Sequence, residues 1–237
     1  TGCIIKTVKL LTYYAPIGYF GFFAKLVSTY GPELVADYSR TLIIYYVMSF
    51  VYMFVFFPIY AQFGGGKGGA KIMFSKLFRP AAVSFGTCSS VATIPTNMEV
   101  ADETGISKDV TDIVLPMGAT MHMDGSVLSA IVKISFLFGI FNQPFTGVGT
   151  YAMSMAVAVL SAFVLSGAPG GGLVGEMLIV SLFGFPAEAF PLIATIGFLV
   201  DPAATCLNAS GDTIASMMVT RMVEGKDWLN RQIKREE

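Results

Sequence analysis

Two long apolar segments near the start of the chain have the length and polarity of membrane-spanning helices. The first runs from about Thr7 to Tyr30, with an interruption at Ala15–Gly18, and the second runs from Ser39 to about Phe63. Both meet the requirement of roughly 20 apolar residues for crossing the hydrocarbon core of a bilayer. The glycine-rich stretch Gly64–Lys71 follows, and we predict a flexible linker there because it lacks the residue order of a phosphate-binding loop.

The remaining apolar segments are each interrupted by small and polar residues. The segments are 80–103, 109–141, 150–185 and 187–223, with interruptions at 87–95, 118–126, 166–172 and 201–212. A broken apolar segment followed by an aspartate-bearing broken helix therefore occurs twice. Non-helical backbone at membrane depth is tolerated only where it is buried in protein or lines a cavity. Paired interrupted segments in the two halves of a chain are typical of a transporter binding site.

The composition supports a membrane location and excludes several other classes of protein. Of the 237 residues, 54% are hydrophobic and only 13% are charged, and the mean hydropathy is +0.67. Because this is about half the charge of a soluble domain, we predict an integral membrane protein. The net charge of −1 gives no electrostatic basis for binding nucleic acid. Cys3, Cys88 and Cys206 have no paired spacing, which argues against a disulfide framework and against a zinc site.

The basic residues are distributed unevenly along the chain. One group lies between the second span and the first interrupted segment, and another forms the tail. These residues are Lys67, Lys71, Lys76, Arg79, Arg221, Lys226, Arg231, Lys234 and Arg235. Because positive charge favours the cytoplasmic side, we predict that the linker and the C-terminus are cytoplasmic. The chain starts at Thr1 and enters a membrane-like segment almost at once, so we expect it to be a fragment.

Ionisable residues within the apolar segments are the candidates for function. They are Asp124, Lys133, Glu176, Asp201 and Asp212, with His122 beside the first. Each charge costs roughly 2.5–3.5 kcal/mol at mid-membrane depth, so these side chains are expected to face the protein interior or a cavity. We predict that Lys133 and Glu176 pair with each other. The three aspartates adjoin Gly, Ser, Thr or Asn residues, whose oxygen atoms suit hard cations.

The last interrupted segment places several polar residues on one side of a helix. Asp201, Thr205, Asn208 and Asp212 recur at helical spacing and so form one polar stripe. We expect this stripe to face an aqueous cavity that binds a cationic group and an ion. The alternative is a polar contact between helices, which uses the same residue types. Helix N-termini near Ser89–Ser90 and in the loop 167–172 would capture a carboxylate.

Four motifs, in the same order, resemble those of the dicarboxylate/amino acid:cation symporter family, which includes the glutamate transporters. They are the hairpin tip Ser89–Ser90 with Pro95, then Gly118–Ser126, Gly167–Gly172 and Asp201–Asp212, and Ala15–Gly18 also matches a string of the family. Gly118–Ser126 resembles the Asn-Met-Asp-Gly-Thr helix break of that family. The motifs before and after it resemble the two hairpins and the last helix. The resemblance extends over the whole chain, as the C-terminal part of a family member.

The resemblance implies an all-α membrane protein with transmembrane helices and two re-entrant helical hairpins related by inverted-repeat symmetry. It also implies a multi-pass, elevator-type secondary transporter of a plasma or inner membrane, assembled as a homotrimer, with the hairpins as gates. Residues 1–36 would form a scaffold-type helix and outer loop, and residues 37–237 a transport domain. The transport domain would comprise a transmembrane helix (37–63), a cytoplasmic linker (64–79), hairpin 1 (80–104), a broken helix (108–142), hairpin 2 (150–185), a second broken helix (187–224) and a cytoplasmic tail (225–237).

By the same resemblance, the substrate is a small amino acid and sodium is the coupling ion, with no other cofactor. The implied substrate-binding residues are Ser89, Ser90, Ser126, Gly167, Ala168, Pro169, Asp201, Ala204, Thr205 and Asn208. Among them, Ser90, Asn208 and the 167–169 backbone would bind the substrate's carboxylate, and Asp201 its amino group. The implied ion-binding residues are Gly118, Thr120, His122, Asp124, Ala162, Phe163, Leu165, Asn208 and Asp212. The ion site at Asp124 would also need an earlier helix outside this chain.

Three departures from the family pattern affect the expected substrate and ion. The arginine that binds a side-chain carboxylate in acidic-substrate members is Ala204 here, and the alternative arginine position is Cys88. A second carboxylate would be left unpaired, at a cost of several kcal/mol, so we predict a small neutral amino acid such as serine, threonine or alanine. His122 replaces an asparagine that helps to ligate sodium, which leaves proton coupling open. An aspartate one turn before Asp201 in some members is Gly197 here.

Other interpretations of the same residues stay as alternatives. The substrate would be an acidic amino acid or a dicarboxylate if segments outside this chain supplied the positive charge. An intramembrane enzyme would need His122 and Asp124 to act on Ser126 or Ser90. However, residues two apart diverge on a helix, and Gly-x-Ser-x-Gly is absent from the sequence. We therefore predict a transporter and not an enzyme. An anion channel is a further alternative, since the family can leak anions.

Overall fold

The computed structural model describes residues 31–164 and 171–236 continuously, together with short helical pieces at 13–14, 17–18, 20–21, 24–25 and 27–29. Most of the first predicted span and residues 165–170 therefore lie outside the described residues. Within the described part, regular secondary structure is helical and no strand occurs, which confirms the predicted all-α class. The chain divides into two compact units, Thr1–Thr41 and Leu42–Glu237.

The described helices follow the segments delimited by the interruptions in the sequence. They are α1 (Glu33–Val51), a π-helical turn (Tyr52–Phe56), α2 (Phe57–Gly65), α3 (Gly69–Lys76), α4 (Phe78–Thr87), α5 (Ser90–Glu103), α6 (Lys108–Met121), α7 (Asp124–Ile140), α8 (Val148–Val164), α9 (Gly171–Phe183), α10 (Ala189–Glu224) and α11 (Trp228–Glu236). Among the described residues, three helical stretches are long and apolar enough to cross a membrane: Glu33–Gly65, Lys108–Ile140 and Ala189–Glu224.

Helices α4 and α5 form a tight hairpin, because only Cys88 and Ser89 separate them. Cys88 has a left-handed φ of 50°, which ends α4 and turns the chain back. Ser89 begins α5 by accepting a hydrogen bond from the Ala92 N–H at 3.2 Å. Such a cap satisfies one of the N–H groups that lack a partner in the first turn of a helix. The hairpin covers the predicted segment 80–104, and its re-entrant insertion into a bilayer stays a prediction.

Helix α10 differs from the expectation, because the predicted interruption at 201–212 is wrong. The helix runs unbroken for 36 residues, although Pro202 lies inside it. Proline removes a backbone N–H and disfavours a helix interior. Here α10 packs against α2, α4, α6 and α7, and its small side chains allow close approach. At Gly125 of α7, for example, a Cβ would lie 2.7 Å from the Ala204 Cα. Such tertiary packing outweighs local preference.

Many large apolar side chains are exposed on the outside of the larger unit. They include Phe50, Phe54, Ile113, Met155 and Phe163, each with at least half of its surface exposed. A soluble protein rarely leaves so much apolar surface in contact with water. Contact with lipid or with another part of the protein accounts for this surface, in agreement with the three helical stretches that are long and apolar enough to cross a membrane.

Hydrogen bonds and ion pairs stabilise the part of the larger unit around the glycine-rich stretch Gly64–Lys71. Trp228 at the start of α11 is fully buried, and its indole N–H donates to the Gly64 carbonyl oxygen at 2.8 Å. Nearby, one carboxylate oxygen of Glu103 binds both Arg79 and Lys76. The hydrogen bond from Arg79, followed by that from Lys76, lowers the pKa of Glu103 to about 2. These ion pairs tie the end of α5 to the helices that precede it.

Candidate functional site

A cavity of about 550 Å³ lies between the α4/α5 hairpin, the interrupted pair α6/α7, and helices α9 and α10. Its polar lining consists of Ser89, Ser90, Ser126, Ser129, Lys133, Glu176, Asp201, Thr205 and Asn208. Apolar and small residues complete the wall, among them Ala194, Val200 and Ala204. This volume falls within the range of small-molecule sites, which are mostly apolar with a few placed polar groups.

Three of the four residues of the predicted polar stripe of α10 face this cavity, whereas the fourth, Asp212, is buried and does not line it. The Thr205 hydroxyl donates to the Asp201 carboxylate at 3.0 Å, one turn away on the same helix. Asp201, Thr205 and Asn208 all line the cavity. The stripe therefore offers a carboxylate, a hydroxyl and an amide on a single wall. A contact with an ammonium group of a ligand is the chemistry that suits the carboxylate best.

Asn208 joins α10 to the interruption between α6 and α7. Its side-chain oxygen accepts the Gly125 N–H at 2.8 Å, and its amide nitrogen donates to the Ser126 hydroxyl at 2.9 Å. These bonds satisfy a backbone N–H at the start of α7, where no intrahelical partner is available. Ser126 is thereby held at the cavity wall. The sequence placed Asn208 and Ser126 in the site but did not predict that they bond to each other.

The tip of the α4/α5 hairpin supplies another part of the cavity wall. Ser89 and Ser90 line the cavity at the N-terminus of α5, the end at which a helix carries a positive partial charge. Ala204 also lines the cavity, and it brings no charge to it. Each predicted substrate-binding residue that the structure describes therefore lies at this cavity. Gly167, Ala168 and Pro169 lie outside the described residues, and their role stays a prediction.

A second group of predicted residues gathers around Asp212 on the far side of Asn208. The Asp212 carboxylate is buried, and neither oxygen has a hydrogen-bond partner in the described part of the chain. Gly118 of α6 lies so close that a Cβ there would be 2.8 Å from the Asp212 Cγ. A buried carboxylate without hydrogen bonds is costly unless a cation pairs with it. A hard cation such as sodium would be a suitable partner for Asp212, and the His122 ring, whose Nδ1 lies 3.4 Å from the Asp212 Oδ1, is another when it is protonated.

His122, in the break between α6 and α7, contacts the same group. Its Nδ1 lies 3.1 Å from the Asn208 carbonyl oxygen and 3.4 Å from the Asp212 Oδ1. Its Nε2 lies 3.3 Å from the Asp124 Oδ2. The imidazole thus bridges two aspartates that are far apart in sequence. The predicted grouping of His122 with these residues is observed, whereas a direct bond from His122 to an ion stays a prediction.

Asp124 has a further partner that the sequence did not indicate. The Tyr52 hydroxyl donates to the Asp124 Oδ2 at 2.8 Å, from the π-helical turn after α1. A smaller cavity of about 230 Å³ adjoins Tyr52, His122 and Asp124. Tyr52 lies in a segment rich in aromatic residues, where nothing in the sequence distinguishes it from its neighbours.

The remaining predicted ion-binding residues are more dispersed. The Thr120 hydroxyl donates to the Met117 carbonyl oxygen within α6. On α8, Ala162 is buried and Phe163 is half exposed, while Leu165 lies outside the described residues. No group of three or more His, Cys, Asp and Glu side chains in the described residues is arranged to hold a metal ion. A cation here would therefore need carbonyl oxygens as well as carboxylates.

Lys133 and Glu176 pair as predicted, with 2.7 Å between Nζ and Oε1. They bring α7 and α9 together, and their side chains are 10% and 5% exposed. The sequence did not predict that this ion pair lines the same cavity as Asp201. The two opposite charges in apolar segments were enough to predict the pair, but its position in the cavity wall follows from the packing of α9.

Comparison with known proteins identifies the family. The model of the sodium:dicarboxylate symporter family matches residues 1–222. The chain belongs to this family. A human protein described as neutral amino acid transporter A is 32% identical over 141 residues, which cover 59% of this chain and 26% of that protein. The match thus spans about a quarter of the length of this curated relative.

Membership of the symporter family agrees with the architecture. A family of transporters requires a membrane, a small-molecule substrate and a cation, and the chain carries three spanning helices in its described residues. The chain is therefore part of a multi-pass membrane protein, as predicted. Within the described residues, the cavity beside α10 and the buried carboxylate of Asp212 are the candidate sites for a substrate and for an ion.

Proposed function

We propose that the full-length protein is a secondary symporter that couples inward movement of sodium to uptake of a small neutral amino acid such as serine, threonine or alanine. One observation carries the choice of a neutral substrate. Among the described residues that line the cavity there is no arginine, and the lysine, Lys133, is already paired with Glu176. A side-chain carboxylate would find no free positive partner.

The charges of the lining support the same conclusion. Lys133 contributes one positive charge, while Glu176 and Asp201 contribute two negative charges, so these three sum to −1. The ammonium group of an amino acid neutralises Asp201, and its carboxylate binds the N-terminus of α5 at Ser90 and the Asn208 amide. A neutral amino acid leaves the sum at −1, whereas a second carboxylate in the substrate would take it to −2 within a largely apolar wall, which is unfavourable.

Coupling between ion and substrate is proposed to pass through Asn208. Its side chain faces the cavity, bonded to Ser126, while its carbonyl oxygen lies on the side of His122 and Asp212. Sodium held by Asp212 with the carbonyl oxygens of Gly118 and Asn208 would fix the position of that backbone. Such coupling is reciprocal, so the substrate would raise the affinity for sodium by the same factor.

The wider features of the family belong to the same proposal. We propose that the α4/α5 and α8/α9 helix pairs are re-entrant hairpins that gate the cavity, in an elevator-type homotrimer with a cytoplasmic C-terminus. The exposed apolar surface of the larger unit supports a position against lipid or against another part of the protein. The protein would then act as a transporter and not as an enzyme.

The test is uptake of labelled serine and aspartate by the full-length protein in proteoliposomes. Sodium-only, proton-only and zero gradients are compared at a fixed membrane potential. We expect sodium-driven uptake of serine with aspartate inert. Uptake of aspartate would refute the neutral substrate, and uptake driven only by a proton gradient would refute sodium as the coupling ion. Gradient-independent anion flux without amino acid uptake would favour a channel.

A further inference from the structure

The wall of the transport cavity contains an ion pair between two helices. Lys133 on α7 and Glu176 on α9 are joined by a hydrogen bond of 2.7 Å, and their side chains are 10% and 5% exposed. Both line the cavity that also holds Asp201 and Asn208. Charged side chains within membrane segments are rare and generally mark a functional site. In the proposed binding mode, other residues bind the amino and carboxylate groups of the amino acid, so the pair is not needed for either.

The carboxylate of Glu176 is only half satisfied. Its Oε1 accepts the hydrogen bond from Lys133, whereas its Oε2 is buried and has no hydrogen-bond partner among the described residues. A buried acceptor without a partner is unfavourable, and native structures rarely keep one without a reason. Glu176 lines the cavity, so a bound molecule that reaches its carboxylate would be able to supply the hydrogen-bond donor that Oε2 lacks.

Gly197 of α10 provides the space for the pair. A Cβ at this position would lie 3.1 Å from the Glu176 Cδ and 3.2 Å from the Lys133 Nζ. The pair therefore lies directly against the α10 backbone, where Gly197 precedes Asp201 by four residues. Four residues of an α-helix correspond to about 6 Å along the axis. A small amino acid covers a distance of this size when its ammonium group binds Asp201 and its side chain makes a second hydrogen bond of about 3 Å.

We propose that the Lys133–Glu176 pair is the subsite for the substrate's side chain, and that Glu176 Oε2 accepts a hydrogen bond from it. This inference rests on the proposed uptake of neutral amino acids and narrows it. Side chains that carry a hydroxyl or a carboxamide N–H are selected, as in serine, threonine and asparagine. Alanine and valine leave Oε2 unpaired, and the carboxylate of aspartate is repelled by it. Lys133 is a positioning residue that holds Glu176 in place.

The first measurement uses the wild-type full-length protein in proteoliposomes with a sodium gradient. The ratios of kcat/KM are compared for serine against alanine and for threonine against valine, pairs that differ by one hydroxyl. We expect roughly tenfold or greater preference for the hydroxyl member of each pair, because a site that hydrogen-bonds a substrate group rejects the analogue that lacks it. Equal kcat/KM values within both pairs would overturn the inference and leave neutral amino acid uptake intact.

The second measurement removes the pair without leaving an isolated charge. Replacement of a buried ion pair by apolar side chains of similar volume is often tolerated, so the double variant Lys133→Met/Glu176→Leu is expected to fold. We expect its serine:alanine ratio to fall to about one while alanine uptake persists. An unchanged ratio in this variant would assign the preference to another group. The matched control is Glu188→Gln, which changes an exposed glutamate outside the cavity. We expect this variant to keep the wild-type serine:alanine ratio.

Failure of the broader proposal is recognisable separately. If the wild-type protein takes up aspartate and no neutral amino acid, then the proposed function fails, and the subsite fails with it. If the double variant does not fold, the two wild-type ratios still decide the inference, since they require no substitution. The readout is a ratio between substrates, which a purely structural role of the ion pair would leave unchanged.

Discussion

Gly118→Ala perturbs the proposed sodium site while it retains every proposed ligand. The new Cβ would lie 2.8 Å from the Asp212 Cγ and 3.3 Å from the Asp212 Cβ. Carbon atoms pack at about 3.5–4.0 Å, so the carboxylate or α6 must retreat by roughly 0.7–1 Å. Changes to groups that orient a metal ligand typically cost about 10–100-fold in metal affinity. We therefore expect the half-saturating sodium concentration to rise roughly 10–100-fold.

The assay is sodium-dependent uptake of labelled serine, with the sodium-dependent rise in Tm of the purified full-length protein as a second readout. Because ion and substrate binding are linked, the serine KM at low sodium should rise as well, and excess sodium should restore it. Gly139→Ala in α7 is the matched control, since no atom lies within 4 Å of a Cβ there. A folded Gly118→Ala protein with the wild-type sodium dependence would refute an ion site at Asp212.

Three further predictions concern other contacts. Trp228→Ala should destabilise the protein by about 3–5 kcal/mol. Trp228→Phe should destabilise it less, although it leaves the Gly64 carbonyl oxygen unpaired. Equal unfolding midpoints for the two variants would contradict this order. Asp201→Asn should raise the serine KM by roughly 30-fold or more, because the proposed, partly buried partner of the substrate's ammonium group loses its charge; an unchanged KM would place that group elsewhere. Because the pKa of Glu103 is lowered in the folded state, its ion pair with Arg79 stabilises the fold at pH values above the unfolded pKa of about 4.3. This stabilisation is lost as the pH falls towards 2. The difference in unfolding midpoint between wild type and Glu103→Gln should therefore shrink below about pH 4.5, and a difference that grows with acid would contradict the assignment.

The order of the helices could be predicted from the sequence because their ends carry local information. Cys88 and Ser89 interrupt an apolar segment with small polar residues, and the structure places the turn of the α4/α5 hairpin there. The break at His122 and Met123 likewise falls within the predicted stretch. The polar stripe of α10 was predictable from helical spacing alone, since its geometry depends on one helix.

Features that depend on contacts between distant segments could not be predicted in the same way. Local preference at Pro202 favours a break. The small side chains of α10 nevertheless pack closely against four neighbouring helices, and this packing keeps α10 continuous. Tyr52 donates to Asp124 across 72 positions of sequence, and many other aromatic residues in its helix had the same local pattern. The pairing of Lys133 with Glu176 followed from the cost of isolated charge, whereas its place in the cavity wall required the three-dimensional arrangement of α7, α9 and α10.

The continuity of α10 has a consequence for coupling. Gly197, Asp201, Asn208 and Asp212 lie along one helix, so the proposed side-chain subsite, ammonium site and ion site are separated by whole turns of a single element. A helix transmits a displacement along its axis better than an interrupted chain, because its hydrogen bonds resist local extension. Movement of Asp212 on ion binding would therefore shift Asn208, whose side chain bonds Ser126 at the cavity wall. In the proposed mechanism, coupling requires no opening of α10, and the flexibility needed for gating falls to the two proposed hairpins and to the break at His122.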